Sequence, residues 1–155
     1  MQTFSELIAA CRTVVKEIMP WDLIEQLNSQ PNTILLDVRE ESEFNTMHLD
    51  NSLHVPRGIL ETSCEYGFDE TIPMLVEAKK KPIVIVCRSG NRSLLAAKTM
   101  MDMGYQNVVS LNTGLRGWND YEQPLVNNFG ETIDIDDADE FFTSKVSPEQ
   151  MNPSA

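Results

Sequence analysis

Ile83-Val84-Ile85-Val86-Cys87-Arg88-Ser89-Gly90-Asn91-Arg92-Ser93-Leu94-Leu95-Ala96-Ala97 is the stretch that decides the fold of this 155-residue chain. Four β-branched residues in succession after Lys81-Pro82 show no polar alternation, the pattern of a strand buried on both faces in a parallel sheet. From Leu94 onward Ala, Lys and Met recur at helical spacing, so residues 88–93 must turn the chain and open a helix. The backbone N–H groups of that turn have no intrahelical partners. Gathered around one thiol, they and the positive end of the helix dipole favour negative charge, first a thiolate and then an anionic substrate.

Gly90 permits a positive φ inside the turn, and Asn91 is among the residues that tolerate it best. Arg88 and Arg92 add fixed positive charge with planar donor forks. An isolated cysteine ending a strand reads as a small buried hydrophobe. Two arginines, two serines, a glycine and an asparagine in the next six positions specify a polar concavity instead.

The segment Cys87-Arg88-Ser89-Gly90-Asn91-Arg92-Ser93 resembles the active-site loop of the rhodanese family, the thiosulfate sulfurtransferases and their single-domain relatives. Leu35-Leu36-Asp37-Val38-Arg39-Glu40 resembles the family's strand-end Asp-Val-Arg segment, and Glu43-Phe44 with His48-Leu49 resembles its next landmark. Asn51-Ser52-Leu53-His54-Val55-Pro56 stands where the family has a Gly-Ala-x-x-Ile-Pro strand. Gly114-Leu115-Arg116-Gly117-Trp118 resembles its Gly-Gly-x-x-x-Trp ending. These landmarks cover residues 16–122 in matching order. Met47 and Asn51 depart from the pattern where glycines are common, and Asn51 is the better suited of the two to a left-handed backbone.

The coarse reading gives helices at 3–14, 20–28, 41–46, 92–103 and 115–120, strands at 16–19, 33–38, 52–55, 83–87 and 107–111, and helical pieces between 57 and 79. Strands alternating with helices predict an α/β fold with a central, mainly parallel sheet covered on both faces. In such sheets ligands bind beyond the strand C-termini, where Cys87 and Asp37 both fall. The predicted organisation is an amphipathic helix over 1–15, a rhodanese-like domain over 16–122 and an acidic extension over 123–155.

The extension holds six acids in ten residues between Glu131 and Glu140 and no base, and half the net charge of -12 lies beyond residue 130. Such a run reads as a solvated, mobile appendage, with Ile133, Ile135, Phe141 and Phe142 arguing for a docking arm. Asp134-x-Asp136 lacks the glycine and distal glutamate of a calcium loop. The acidity argues against nucleic acid as a partner.

Near the start, Phe4, Leu7, Ile8, Cys11 and Val15 recur at helical spacing, and Thr3 with Glu6 makes a capping box. Residues 1–7 carry no positive charge, which argues against a signal peptide, and no apolar run is long enough to span a membrane. Three scattered cysteines make neither a disulfide framework nor a zinc site. A reducing, cytoplasmic setting is therefore expected.

The resemblance implies a sulfurtransferase. Cys87 is its catalytic nucleophile, and Arg88, Ser89, Gly90, Asn91, Arg92 and Ser93 are its substrate-binding loop. Asp37 and Arg39 are structural support, and neither metal nor organic cofactor is required. The implied partners are a small anionic sulfur donor and a thiol or cyanide acceptor, with a protein acceptor as a further option. Arg92 either faces the substrate or braces the loop against an acid such as Asp37. His48 and His54 read as structural, and Trp21 and Trp118 as packing residues. Cys64, in the connection that the resemblance sets near the site's rim, is either an inert thiol or a resolving partner for Cys87. Two other readings remain: a non-catalytic rhodanese-like binding module, and a cysteine phosphatase or arsenate reductase. Four residues between Cys87 and Arg92, against five in the phosphatase pattern, weigh against the last.

Overall fold

β4 (Ile83–Val86) takes the central position that its unbroken apolar run demands. The computed structural model describes residues 1–154. In it, β1 (Lys16–Ile18), β2 (Ile34–Asp37), β3 (Leu53–His54), β4 and β5 (Val108–Leu111) form one all-parallel sheet in the order β1-β5-β4-β2-β3. Because side chains alternate along a strand, β4 feeds two cores at once. Ile83 and Ile85 enter one apolar cluster, and Val84 and Val86 enter the other.

The first cluster lies beneath α1 (Phe4–Arg12), α4 (Leu60–Ser63), α5 (Pro73–Val76) and α6 (Asn91–Asp102). The capping box forms at the start of α1: Thr3 N–H donates to Glu6 Oε2 at 2.8 Å and Glu6 N–H to Thr3 Oγ1 at 3.2 Å. Ile8 and Cys11 of α1 are buried in this cluster. The second cluster lies beneath α2 (Pro20–Ser29), α7 (Gly114–Asp120) and α8 (Ile135–Phe142). α3 (Glu41–Thr46) follows β2 at the sheet's C-terminal end.

α8 is where the structure departs from the charge-based reading of residues 123–155. Asp134 caps it, accepting from the Asp136 N–H at 2.9 Å, and Asp136 and Asp137 sit in its first turn, where carboxylates suit the dipole. Ala138 and Phe142, four residues apart, are buried on one face, and the acids take the others. Burying the Phe142 ring is worth roughly 2 kcal/mol, enough to hold a helix too short to persist alone. Before it, Val126 pairs with His48 in an antiparallel bridge, and Trp118 Nε1–H donates to Pro124 O at 2.9 Å. Leu125, Val126, Ala138 and Phe142 thus anchor this part of the chain on the domain, while residues 128–132 between them are exposed. The acids masked a short apolar stripe at helical spacing. Among the described residues, no helix is long and apolar enough to cross a membrane.

Candidate functional site

The loop between β4 and α6 wraps its backbone around the Cys87 sulfur. Gly90 N–H donates to Sγ at 3.1 Å and Ser93 N–H at 3.3 Å, while the thiol itself lies 3.3 Å from Ser93 Oγ. Ser93 Oγ pairs in turn with Ser110 Oγ of β5 at 2.7 Å. Cys87 is 1% exposed, so the sulfur faces these donors in a site almost free of bulk water. A charge developing there meets N–H groups already aimed at it.

Two glycines permit this path. Gly90 takes φ 96°, and a side chain there would crowd Thr113 N at 3.1 Å and Leu111 O at 3.3 Å. Gly114, at the start of α7, lets the turn after β5 press against the loop; a Cβ there would stand 2.6 Å from Cys87 O and Arg88 O. In that close approach Leu115 N–H donates to Cys87 O at 2.8 Å and Arg116 N–H to Arg88 O at 2.9 Å. The Cys87 and Arg88 carbonyls are thereby held by the first turn of α7. Gly114 belongs to the sequence segment read as the family's ending, but its partner across the fold was not legible there.

The remaining loop residues separate into different surroundings. Arg92 gives Nη1–H and Nη2–H to the two oxygens of Glu43 in α3, at 2.8 and 2.9 Å. Burial alone would raise the Glu43 carboxyl, but the Arg92 hydrogen bonds, with the Glu40 N–H, outweigh it and hold the group below its ordinary range. The same hydrogen bonds raise Arg92 against its own partial burial, with the Glu43 charge adding to them. Arg92 therefore braces the loop, but against Glu43 and not against Asp37.

Asp37 is taken by Arg39. The two side chains are fully buried, with Arg39 Nη2 at 2.9 Å from Asp37 Oδ2 and Nε–H at 3.0 Å from Oδ1. Arg39 Nη2–H also donates to Met47 O at 2.7 Å, which ties β2 to the chain after α3. Each histidine is bonded to a carbonyl: His48 Nδ1 lies 2.8 Å from Phe44 O, and His54 Nε2 lies 2.8 Å from Arg39 O. Phe44 is stacked between the two rings. Asn51 adopts the left-handed conformation at φ 63°, while Met47 is extended and buried.

Arg88 points the other way, to the end of α8, where its Nη2–H donates to Phe142 O at 2.8 Å. Ser89 is exposed and lines a groove of about 480 Å³ with Trp21, Thr113, Arg116 and Tyr121. Trp21 is half-exposed and tilted against Tyr121 at 5.6 Å, so it walls this groove instead of filling the core, whereas Trp118 is buried. Asn91 opens α6 in helical conformation, leaving the positive φ to Gly90. Ser93 is completely buried and contacts the sulfur, not the outer surface. Cys64 is 1% exposed, inside the same apolar cluster that holds Cys87, and burial, with a smaller push from Glu61, raises its thiol. No sequence signal marked Glu43 as the Arg92 partner, or Phe142 as that of Arg88.

The arrangement can stabilise an anionic sulfur and bring small ligands to it from the sheet's C-terminal end. Residues 20–121 match the family of the rhodanese-like domain. The chain is 34% identical over 95 residues to the adenylyltransferase and sulfurtransferase uba4 of Ogataea parapolymorpha, a match covering 61% of this chain and 22% of that protein's length. It is 28% identical over 90 residues to the thiosulfate sulfurtransferase GlpE of Tolumonas auensis, covering 57% of this chain and 74% of GlpE. A protein of unknown function and possible tyrosine phosphatase from Rhodopseudomonas palustris superimposes with TM-score 0.74 at 25% identity, over 81% of this chain and 96% of its own. A cysteine ending the central strand, N–H donors closed on its sulfur and a matching span that covers the whole sheet beyond β1 lead to one assignment: the chain belongs to the rhodanese-like domain family.

Proposed function

We propose that the chain transfers sulfane sulfur through a persulfide on Cys87. The carrying observation is the pair of N–H groups from Gly90 and Ser93 on Cys87 Sγ, at 3.1 and 3.3 Å. In the first step the Cys87 thiolate attacks the outer sulfur of thiosulfate or of a persulfide donor. The donor's S–S bond breaks, and sulfite or a thiolate leaves with the bonding pair. In the second, an acceptor thiolate or cyanide attacks the terminal sulfur and Cys87 departs as the thiolate again. Splitting the transfer in two predicts ping-pong kinetics.

Arg88 holds the donor's anionic end in this reading, Ser89, Gly90, Asn91 and Ser93 shape the cradle, Arg92 braces it, and Asp37 with Arg39 supports the neighbouring strand end. No cofactor enters the chemistry. The acceptor is a small thiol or cyanide, or a protein sulfur acceptor, and the setting a reducing compartment such as the cytoplasm, where three free thiols persist. The test is thiosulfate treatment followed by mass spectrometry and a cyanide-dependent turnover assay. One sulfur should add to the wild type and none to Cys87→Ser; an unmodified, inactive wild type would leave a non-catalytic binding module.

The phosphatase reading takes support from the name of the Rhodopseudomonas neighbour. The loop speaks against it. Only residues 88–91 separate Cys87 from Arg92, and that arginine is committed to Glu43. Release of phosphate from an aryl phosphate at a rate lost in Cys87→Ser would reverse the choice.

A further inference from the structure

A cavity of about 360 Å³ lies between Arg88 and the chain at and after the end of α8. Arg88 and Lys145 are its only charged walls, in a protein whose net charge is -12. Among the described residues neither makes an ion pair. Each is held by a neutral carbonyl instead: Arg88 by Phe142 O at 2.8 Å, and Lys145 by Glu140 O at 3.3 Å. Those bonds aim the cations without cancelling them.

The polar groups around them complete the pattern. Ser144 contributes a hydroxyl, and Gln150, whose Oε1 accepts from Ser147 N–H at 2.8 Å, has its amide N–H pair left to give. No carboxylate lines the cavity. Two cations without an ion pair, with hydroxyl and amide donors beside them, make this wall locally positive although Asp137 and Glu140 of α8 flank Lys145 in the adjoining groove, and such a wall suits a small polyatomic anion.

We propose that the C-terminal segment builds a divalent-oxyanion subsite with Arg88, in which Lys145 is a positioning residue. The shared chemistry is a tetrahedral sulfur oxyanion, either the sulfonate-like end of a thiosulfate donor or free sulfate. The identification with the donor rests on the sulfurtransferase reading; the subsite itself does not. Lys145 lies outside the loop and acts by holding the anion beside Arg88.

The test uses the full chain carrying Cys87→Ser, which cannot take up sulfur, titrated with sodium sulfate and separately with thiosulfate at low salt while backbone amide shifts are followed. Saturable shifts are expected at Arg88, Ser144, Lys145 and Gln150. Adding Lys145→Ala should weaken binding about tenfold, and Lys145→Arg should restore most of it. With Cys87 intact, Lys145→Ala should raise KM for thiosulfate far more than it lowers kcat, and sulfate should compete with thiosulfate. Binding of sulfate without such competition would mean a subsite for free anion alone and would overturn the donor identification.

Two outcomes separate this inference from the function on which it builds. A wild type that never loads sulfur, yet binds sulfate through Lys145, removes the sulfurtransferase reading and keeps the subsite. Normal sulfur loading with affinity and KM unmoved by Lys145→Ala removes the subsite and keeps the enzyme. Tighter anion binding in Lys145→Ala, or after truncation at Phe142, would make the segment a cover over Arg88 and would also overturn the proposal.

Discussion

Arg88 and Arg92 stand in the same short loop, carry the same charge and are both half-buried, yet they are partnered in opposite ways. Arg92 meets a carboxylate with two parallel hydrogen bonds, so its charge is compensated and its geometry fixed. Arg88 meets a single backbone carbonyl, which fixes direction and leaves the charge available. The elements opposite decide the difference. Glu43 rises from α3 beside β2, whereas the C-terminal end of α8 offers only an unsatisfied carbonyl. A loop's composition thus shows a concentration of positive charge without saying which cation is paired within the fold and which is left without a carboxylate.

The largest expected effect concerns the sulfur between them. Cys87→Ser should abolish persulfide formation and turnover while the thermal transition moves by only a few degrees, because the oxygen conserves shape but cannot carry sulfane sulfur. Full transfer by that variant would end the comparison at its centre.

Next in size, Arg88→Ala should lower kcat/KM for thiosulfate about ten- to hundredfold, the range of one lost charge-assisted hydrogen bond of roughly 1.5–3 kcal/mol. The deficit should shrink as ionic strength rises. If Arg92→Ala produced the same kinetic loss with no change in stability, the two arginines would share one role and the contrast would fail.

Glu43→Gln sharpens the other arm. Its cost should appear in stability, roughly 1 kcal/mol for a pair that still sees solvent, and only weakly in KM. Glu43 is held below its ordinary value of 4.5, so the unfolded chain binds its proton more readily than the folded one. The pair therefore stabilises above that value, and its contribution is lost as pH falls through the lower folded value. Melting curves of wild type and Glu43→Gln should differ at neutral pH and draw together as acid protonates Glu43; a gap that does not change with pH would contradict the assignment.

The smallest effect is expected at Cys64. Cys64→Ala should leave turnover unchanged and cost about 1 kcal/mol for the lost buried sulfur. Mild oxidation of the wild type should yield no Cys64–Cys87 linked peptide, and its appearance would make the buried thiol a resolving one.

Much of the fold was legible because the signals were long and mutually consistent. The Ile83–Val86 run gave a central strand, the change of period at Leu94 gave α6, and Thr3 with Glu6 gave the start of α1. The turn around Cys87 was legible too, since its glycine and polar residues after a buried strand specify a polar loop, and Gly90 and Ser93 N–H meet the sulfur there. The partners were not. Glu43 and Phe142 reach the loop from positions 49 and 54 residues away from their arginines, and no local pattern encodes such a meeting. α8 failed to stand out for a different reason. Its apolar stripe is Ala138 and Phe142, while Asp136, Asp137, Asp139 and Glu140 dominate the composition, so charge outweighed periodicity in the reading although burial decides in the structure.

The sheet's strand order also governs when the protein can become whole. Lys16 of β1 pairs in register with Val109 of β5, so the first strand synthesised waits for the last one before it has a neighbour. Closing a loop of that length carries an entropic cost before the pairing rewards it, which slows the formation of such non-local parallel contacts. The groove beside Ser89 takes one wall from Met19, Pro20 and Trp21, directly after β1, and the other from Thr113 to Tyr121. It cannot exist on a nascent chain still short of β5. Any ligand of that groove meets it only once β5 and α7 have joined the sheet, whether or not α8 has docked.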